Sequence, residues 1–231
     1  LATPCATLDG DQTPFVVAHR GSSHDAPENT LAAYETAISQ GALAAECDVQ
    51  VTRAGEVVLL HDRSLSRTTN GRGWIGSQTW DQVRDLDAGA WKHPRFTGEG
   101  LPRLEDALDL VRGQMRLYIE LKAGRGLAER TMATLRRCGT RPEDVVLISF
   151  DEGYLATARA ADARFARVLL RRKHKLIYGC HVAHDTREEH EAEAAGWVRF
   201  WRRRDTPSGG WASSAPAPSR QDTTRPPSAP T

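Results

Sequence analysis

The sequence lacks the features that would assign it to several common classes of protein. Its 231 residues contain no apolar run near the roughly 20 residues that a membrane-spanning helix needs. Basic and acidic residues nearly cancel, with 31 Lys and Arg against 30 Asp and Glu. No global positive field therefore points to nucleic acid or to an anionic membrane as a partner. We expect no transmembrane segment and no nucleic-acid partner.

Cysteine is scarce and widely spaced. The four cysteines form no CxxC pair and no zinc-type spacing, so free or buried thiols are expected, with a disulfide as the alternative. The chain begins with leucine rather than methionine, which is consistent with a removed leader or with a fragment. The expected location is therefore secreted or periplasmic, with a cytoplasmic location as the alternative. No pattern in the sequence indicates an oligomeric state.

What is present is an alternation of β-branched runs with helical patterns. Such an alternation is typical of a parallel sheet with crossover helices, so the predicted fold class is α/β, either a barrel or a doubly wound sheet. The predicted strands are 14–20, 43–51, 56–62, 115–122, 144–150 and 164–170, and the predicted helices are 29–41, 103–113, 126–139 and 152–163.

Composition divides the chain into three parts. Residues 1–171 carry the α/β pattern, interrupted by an insert at about 63–103 that is rich in Gly, Trp and polar residues. Residues 172–204 are basic and are predicted to be helical. Residues 205–231 contain no Val, Ile, Leu or Met and hold six of the 12 prolines. Such a segment cannot bury enough apolar surface to offset its ordering entropy, so it is predicted to be disordered.

Charged residues lie at the ends of four predicted strands. Because side chains alternate along a strand, Glu46 and Asp48 share one face, and so do Glu120 and Lys122. The carboxyl ends of the strands of a parallel barrel form its active face. A single charged strand end is more often structural, but four in succession favour a site. The four groups are His19 with Arg20, Glu46 with Asp48, His61 with Asp62, and Glu120 with Lys122.

The residue types at this predicted site indicate a metal ion and an anionic ligand. Carboxylate oxygens suit hard divalent cations, so Glu46, Asp48 and Glu120 are candidate ligands for Mg²⁺ or Ca²⁺. Arg20 offers a planar fork and Lys122 a point charge for an anion such as phosphate.

The two histidines complete the set. His19 and His61 can divide general acid and general base work near neutral pH. A metal ion, a cationic clamp and paired imidazoles together predict phosphoryl transfer or phosphodiester cleavage.

Taken together, these motifs resemble those of the glycerophosphodiester phosphodiesterases. The similarity extends from about Val16 to Phe150, and its order and spacing are specific. It rests on "AHRG" with "PENT", "ECDVQVT" followed by "VVLLHD", "YIELK", "LSRTTNGRG" and "LPRLEDAL".

The resemblance implies a (β/α)₈ TIM-type barrel, a divalent cation, and hydrolysis of glycerophosphodiesters to glycerol 3-phosphate and an alcohol. It also implies that part of the insert at 63–103 shapes specificity for this small-molecule substrate. Glu28, inside "PENT", is expected mainly to favour the start of a helix. By position, His19 and His61 would be the acid/base pair, Glu46, Asp48 and Glu120 the metal ligands, and Arg20 and Lys122 the phosphate-binding residues.

After about residue 171 the resemblance ends. The family continues through three more strand–helix units, so we expect a barrel that is incomplete or divergent, from truncation or a change of reading frame. A catalytically inactive remnant is therefore one alternative function, and a related phospholipase D-like or phosphoinositide-cleaving barrel enzyme is another. A weaker alternative is binding of nucleic acid or an acidic surface through the arginines at 199–204 and the basic run at 171–175.

Overall fold

Seven strands form one sheet in the computed structural model, which describes residues 17–172 and 180–184. Along the sheet the order is β1-β2-β4-β5-β6-β7, and β3 pairs with β2 outside this path. The strands are β1 (Val17–Ala18), β2 (Ala44–Val51), β3 (Val57–Leu59), β4 (Arg116–Ala123), β5 (Val145–Ser149), β6 (Ala166–Arg172) and β7 (Cys180–His184).

Four successive pairings in this sheet are parallel. They join β1 to β2, β2 to β4, β4 to β5 and β5 to β6. A helix lies in each crossover, as the alternation of patterns predicted. Within the described residues β1 and β7 stand at opposite ends of the strand order, so this part of the sheet is open. The helices are α1 (Leu31–Ser39), α2 (Trp80–Val83), α3 (Leu104–Val111), α4 (Leu127–Arg137) and α5 (Glu152–Ala161).

The two faces of the sheet have different surroundings. On β2, Cys47 and Val49 belong to the large apolar cluster that α1, α3, α4 and α5 cover. The alternate residues of β2 are Glu46, Asp48 and Gln50, and these are buried polar groups. The alternation predicted from the sequence is therefore confirmed, and it places the carboxylates on the face away from the helices.

The third strand differs from the prediction. β3 runs antiparallel to β2, with Val51 opposite Val57 and Val49 opposite Leu59. Treating 56–62 as one of the parallel strands was wrong, because a parallel crossover needs a dozen or more residues and only a short turn is available. Gly55 in that turn has φ 109°, a conformation that favours glycine.

Residues 63–103 contain three 3₁₀ turns and the single-turn helix α2. Val58 and Leu60 of the β3 region pack with apolar residues of this segment, including Leu65, Ile75 and Val83. The insert therefore has a small apolar core of its own, which packs against β3 and the residue that follows it.

The C-terminal part departs from the helical prediction for 172–204. Cys180–His184 form β7, which pairs antiparallel with β6 from Val168 to Arg172. A helix was wrong for these five residues, because the backbone of β6 offers a pairing edge that sequence periodicity does not reveal. Arg172 ends β6, while residues 173–179, 185–204 and 205–231 lie outside the described residues. No helix in the described ranges is long and apolar enough to cross a bilayer.

Candidate active site

Three carboxylates meet on the two central strands. The parallel register sets Asp48 of β2 opposite Glu120 of β4, and Glu46 lies two residues before Asp48 on the same face. One oxygen from each of the three groups lies within 4.8 Å of the others. All three side chains are buried, and Asp48 is fully so. Strand pairing and side-chain alternation therefore bring the predicted ligands together.

This concentration of negative charge is only partly compensated. Burial, followed by the charges of Asp48 and Glu120, raises the pKa of Glu46 well above its ordinary value. Burial also raises the pKa of Glu120, although the adjacent Lys122 opposes it. Two buried oxygens, Oε1 of Glu46 and Oδ1 of Asp48, accept no hydrogen bond from any described residue. Buried polar atoms are normally bonded, so these oxygens fit a ligand that supplies positive charge.

A divalent cation fits this donor set. Hard cations such as Mg²⁺ and Ca²⁺ take carboxylate oxygens as ligands, and the three groups offer oxygens only. Among the described residues, Glu46, Asp48 and Glu120 form the group that could hold a metal ion.

His19 and Arg20 follow β1 and face the carboxylates. The backbone N–H of Arg20 donates to Oε2 of Glu46 at 3.0 Å, and Nε2 of His19 lies 3.8 Å from the same oxygen. Nε of Arg20 lies 3.1 Å from Oδ2 of Asp48. Gly21 has no room for a side chain, because a Cβ there would lie 2.7 Å from Ala33 of α1. Gly21 thus lets the chain turn close to α1, and the two residues before it, His19 and Arg20, face the carboxylates.

The His19 imidazole is held neutral in this arrangement. Burial lowers its pKa to about 2, and the charges of Arg20, His61 and Lys122 act in the same direction. Protonating His19 would add a buried positive charge next to other cations. The neutral imidazole is the form that a general base needs, although the same burial and charges disfavour its protonated form.

His61 lies just after β3 and is oriented by two neighbours. Its Nδ1 lies 2.6 Å from Oδ1 of Asp62. Nε2 of Gln50 donates to the carbonyl oxygens of Leu60, His61 and Asp62 at 2.9, 3.1 and 2.6 Å. Gln50 occupies the next position on the carboxylate face of β2. These hydrogen bonds from Gln50 fix the backbone of residues 60–62, and with it the position of His61 near the three carboxylates.

Lys122 shares its face of β4 with Glu120. Its Nζ donates to Oε1 of Glu120 at 2.8 Å and lies 3.5 Å from Oδ1 of Asp48. The Lys122 ammonium therefore contacts two of the candidate metal ligands. An open depression of about 530 Å³ begins here, lined by Glu120, Lys122, Ser149, Phe150, Asp151 and Leu170.

The structure thus brings the seven predicted site residues together at one end of the sheet. Six of them are joined by direct contacts. His61 is close enough for its charge to act on His19 and Glu120. Their roles in catalysis and binding stay predictions.

Asn29 is part of the site, although the sequence analysis placed it only at the start of the predicted helix 29–41. Its Nδ2 donates to Oδ2 of Asp48 at 2.8 Å, and its Oδ1 accepts from the Asp48 backbone N–H at 3.1 Å. Asn29 has φ 58°, a conformation that asparagine tolerates better than most residues. Thr30 is the cap of α1, since its side chain accepts from the Ala33 N–H. The sequence feature that could have indicated this role was the position of Asn29, a polar residue, within the "PENT" motif.

Glu28 has a different role from the one predicted. Its carboxylate accepts from Nη1 of Arg20 at 2.8 Å and from both Nη atoms of Arg67 at 3.0 and 2.7 Å. The expectation of a helix-start role was wrong, because two guanidinium groups occupy the carboxylate. Arg67 is 39 residues from Glu28 in sequence, so no local pattern indicates this contact.

Comparison with known proteins identifies the family of the chain. The sequence model of the glycerophosphoryl diester phosphodiesterase family matches residues 19–174, which is more than half of the chain. The chain belongs to this family. The match begins at His19, so it includes all seven predicted site residues.

The chain is similar to individual members of the family over part of their length. A glycerophosphodiester phosphodiesterase of Bacillus subtilis is 36% identical over 154 residues, which are 60% of this chain and 53% of that protein. A solved glycerophosphodiester phosphodiesterase from Agrobacterium tumefaciens is 37% identical with a TM-score of 0.63, covering 67% of this chain and 66% of that one.

A phosphodiesterase from Oleispira antarctica, solved with the product sn-glycerol 3-phosphate, is 39% identical with a TM-score of 0.62. That match covers 67% of this chain and 64% of the other. The chain spans about half the length of the curated relatives it matches. The fold is the α/β barrel type of the family, of which the described sheet contains four parallel pairings.

Proposed function

We propose that the chain is a phosphoric diester hydrolase that cleaves glycerophosphodiesters to glycerol 3-phosphate and an alcohol. The observation that carries this proposal is the buried group Glu46, Asp48 and Glu120, with two unbonded oxygens, beside Arg20 and Lys122. The group invites a cation, and the neighbouring cationic side chains suit the phosphate that such a cation would bind. The product bound to the Oleispira relative is consistent with this substrate class.

The cofactor in this proposal is a divalent cation, Mg²⁺ or Ca²⁺, held by Glu46, Asp48 and Glu120. When bound, such an ion supplies Lewis acidity and neutralises charge on phosphoryl oxygens. Arg20 and Lys122 bind the phosphate, Arg20 through its planar guanidinium and Lys122 through its ammonium.

The two histidines carry the protons. One imidazole takes a proton from water as the new P–O bond forms, and the other gives a proton to the alcohol oxygen as its P–O bond breaks. His19 is neutral because burial and the neighbouring cations lower the pKa of its imidazole, and the neutral form is the one that a base needs. In His61, Nδ1 contacts Asp62, so the proton given to the alcohol would be the one on Nε2 of the imidazolium form.

Hydrolysis of glycerophosphocholine by the purified chain tests the proposal. We expect release of glycerol 3-phosphate that a chelator abolishes and that added Mg²⁺ or Ca²⁺ restores. A panel of lysophospholipids and phosphoinositides, run in parallel, separates this activity from that of related barrel enzymes. Full turnover after chelation would contradict the metal assignment, and turnover of another phosphodiester alone would contradict the substrate class.

A further inference from the structure

Arg67 of the insert bridges two carboxylates that belong to different parts of the chain. Its Nη atoms donate to both oxygens of Glu28, and its Nε donates to Oδ2 of Asp62. Glu28 precedes α1, and Asp62 follows β3. One guanidinium group therefore joins the segment after β1 to the segment after β3.

Each of these carboxylates also contacts a residue of the proposed active site. Oδ1 of Asp62 lies 2.6 Å from Nδ1 of His61. Oε1 of Glu28 accepts from Nη1 of Arg20 at 2.8 Å. The result is a continuous chain of charged groups that runs His61, Asp62, Arg67, Glu28, Arg20.

Both carboxylates in this series are fully bonded, since each of their four oxygens has a hydrogen-bond partner. Burial alone would raise the pKa of Glu28, but the hydrogen bonds and charges of Arg67 and Arg20 hold it below its ordinary value. The hydrogen bond from Arg67 lowers the pKa of Asp62 to about 2, outweighing the effect of burial. Both carboxylates are therefore ionised at neutral pH. An ionised carboxylate only accepts hydrogen bonds, so Nδ1 of His61 bears a proton and donates it to Asp62.

A second arginine of the insert shows what an ordinary surface arrangement looks like. Arg84 also lies near two carboxylates, Asp81 at 3.8 Å and Asp85 at 3.6 Å. Both of those side chains are 85% exposed, whereas the side chain of Glu28 is only 13% exposed. Exposed ion pairs of the Arg84 kind contribute little to stability.

We propose that Arg67 is a positioning residue, which fixes His61 and Arg20 relative to each other through Asp62 and Glu28. This inference rests on the proposed function, because it assigns the insert a part in aligning the acid/base histidine with the phosphate-binding arginine. A guanidinium fork can hold two carboxylates in fixed directions at once. A lysine ammonium at this position keeps the charge but lacks that geometry.

Steady-state kinetics of Arg67→Met and Arg67→Lys, with Arg84→Met as the matched control, test the proposal. Loss of groups that orient an active-site residue costs about 10- to 100-fold in activity. We expect a fall of that size in kcat for Arg67→Met, with a smaller change in KM, and a kcat for Arg67→Lys closer to that of Arg67→Met than to wild type. Arg84→Met should match wild type.

Coupling with Asp62 distinguishes positioning from general destabilisation. Asp62→Asn should lower kcat in the wild-type background but have little further effect in Arg67→Met, because both changes interrupt the same chain of contacts. Wild-type kcat in either Arg67 variant, or fully additive losses with Asp62→Asn, would overturn the proposal.

A spectroscopic readout keeps this inference separate from the proposed function. In protein with ¹⁵N-labelled histidine, the ring-nitrogen shifts report which nitrogen of His61 carries the proton, with His61→Ala assigning the signal. We expect Arg67→Met to change the His61 signal and Arg84→Met to leave it in place. If wild type hydrolyses no diester, the proposed function fails, yet this measurement still decides whether Arg67 sets the state of His61. An unchanged His61 signal in Arg67→Met would overturn the inference.

Discussion

Two groups of charged residues form the site, one on the sheet and the other on loops. The sheet cluster consists of Glu46, Asp48, Glu120 and Lys122, and the loop cluster consists of Glu28, His61, Asp62 and Arg67. In the loop cluster all four carboxylate oxygens accept hydrogen bonds. In the sheet cluster two buried carboxylate oxygens accept none from the described residues.

The difference shows where a ligand belongs. The loop cluster needs no ligand, because Arg67, His61 and the neighbouring Arg20 supply a partner for every oxygen of its two carboxylates. The sheet cluster has three carboxylates and a single lysine, and burial raises the pKa of Glu46 and Glu120. A charge that the protein does not compensate is compensated most simply by a bound cation.

The largest expected difference between the clusters is in activity. Glu46→Gln should lower diester hydrolysis by about 100-fold or more, because it removes a ligand of the proposed metal ion, which would stabilise charge in the transition state by several kcal/mol. Glu143→Gln, a change of the same type at an exposed surface position, should leave the rate unaltered. Initial rates at saturating Mg²⁺ or Ca²⁺ provide the measurement. A Glu46→Gln enzyme with the wild-type rate would remove Glu46 from the site.

The response of thermal stability to a cation should separate the clusters next. A cation at 100 times its Kd stabilises the wild-type fold by about 2.7 kcal/mol, which corresponds to a rise in Tm of roughly 5–10 °C for a chain of this size. Glu46→Gln should lose most of this rise, whereas Glu28→Gln in the loop cluster should keep it. Thermal melts with chelator and with added cation test this expectation. An equal loss in both variants would show that the two clusters do not differ in cation binding.

The smallest expected effect is an opposite dependence of stability on pH in the metal-free protein. The pKa of Asp62 is lowered from 3.8 to about 2, so its stabilising contribution is present above pH 3.8 and is lost as the pH falls towards 2. The pKa of Glu46 is raised above 4.5, so the fold favours its neutral form and becomes less stable as the pH rises from 4.5 through that raised pKa.

Urea unfolding over a pH series, with chelator present, measures this contrast. Asp62→Asn should be less stable than wild type near neutral pH, and this difference should shrink in acid. Glu46→Gln should become increasingly more stable than wild type as the pH rises, because Gln stays neutral while Glu46 ionises. Asp81→Asn, at an exposed carboxylate of the insert, serves as the control and should give a flat difference. If the stability differences from wild type had the same sign for Asp62→Asn and Glu46→Gln, the fold would favour the same protonation state of the carboxyl group in both clusters.

The sequence predicts the sheet cluster better than the loop cluster, for a physical reason. Alternation along a strand is a local property, so the order of residues in β2 is enough to place Glu46, Asp48 and Gln50 on one face. The contact between Arg67 and Glu28 depends on how the insert folds back over the start of α1. That contact leaves no periodic signal, and local sequence therefore assigns Glu28 wrongly to the helix start.

The pairing direction of β3 shows the same limit. The turn before it is recognisable in the sequence, yet the pattern of Val57–Leu59 does not distinguish an antiparallel strand from a parallel one. The predicted number of charged parallel strand ends was therefore too high by one, although His61 still lies at the site. The antiparallel β2–β3 hairpin and the insert packed against it place His61 at the site, and the order of the strands along the chain does not reveal this.

The sequence by itself determined the α/β alternation, the face of each charged residue on its strand, and the set of residue types that predicts a metal-dependent phosphodiesterase site. The tertiary structure alone decided which charges are neutralised by the protein and which are left for a ligand. Charge compensation depends on distances between residues far apart in the chain, and only packing sets those distances.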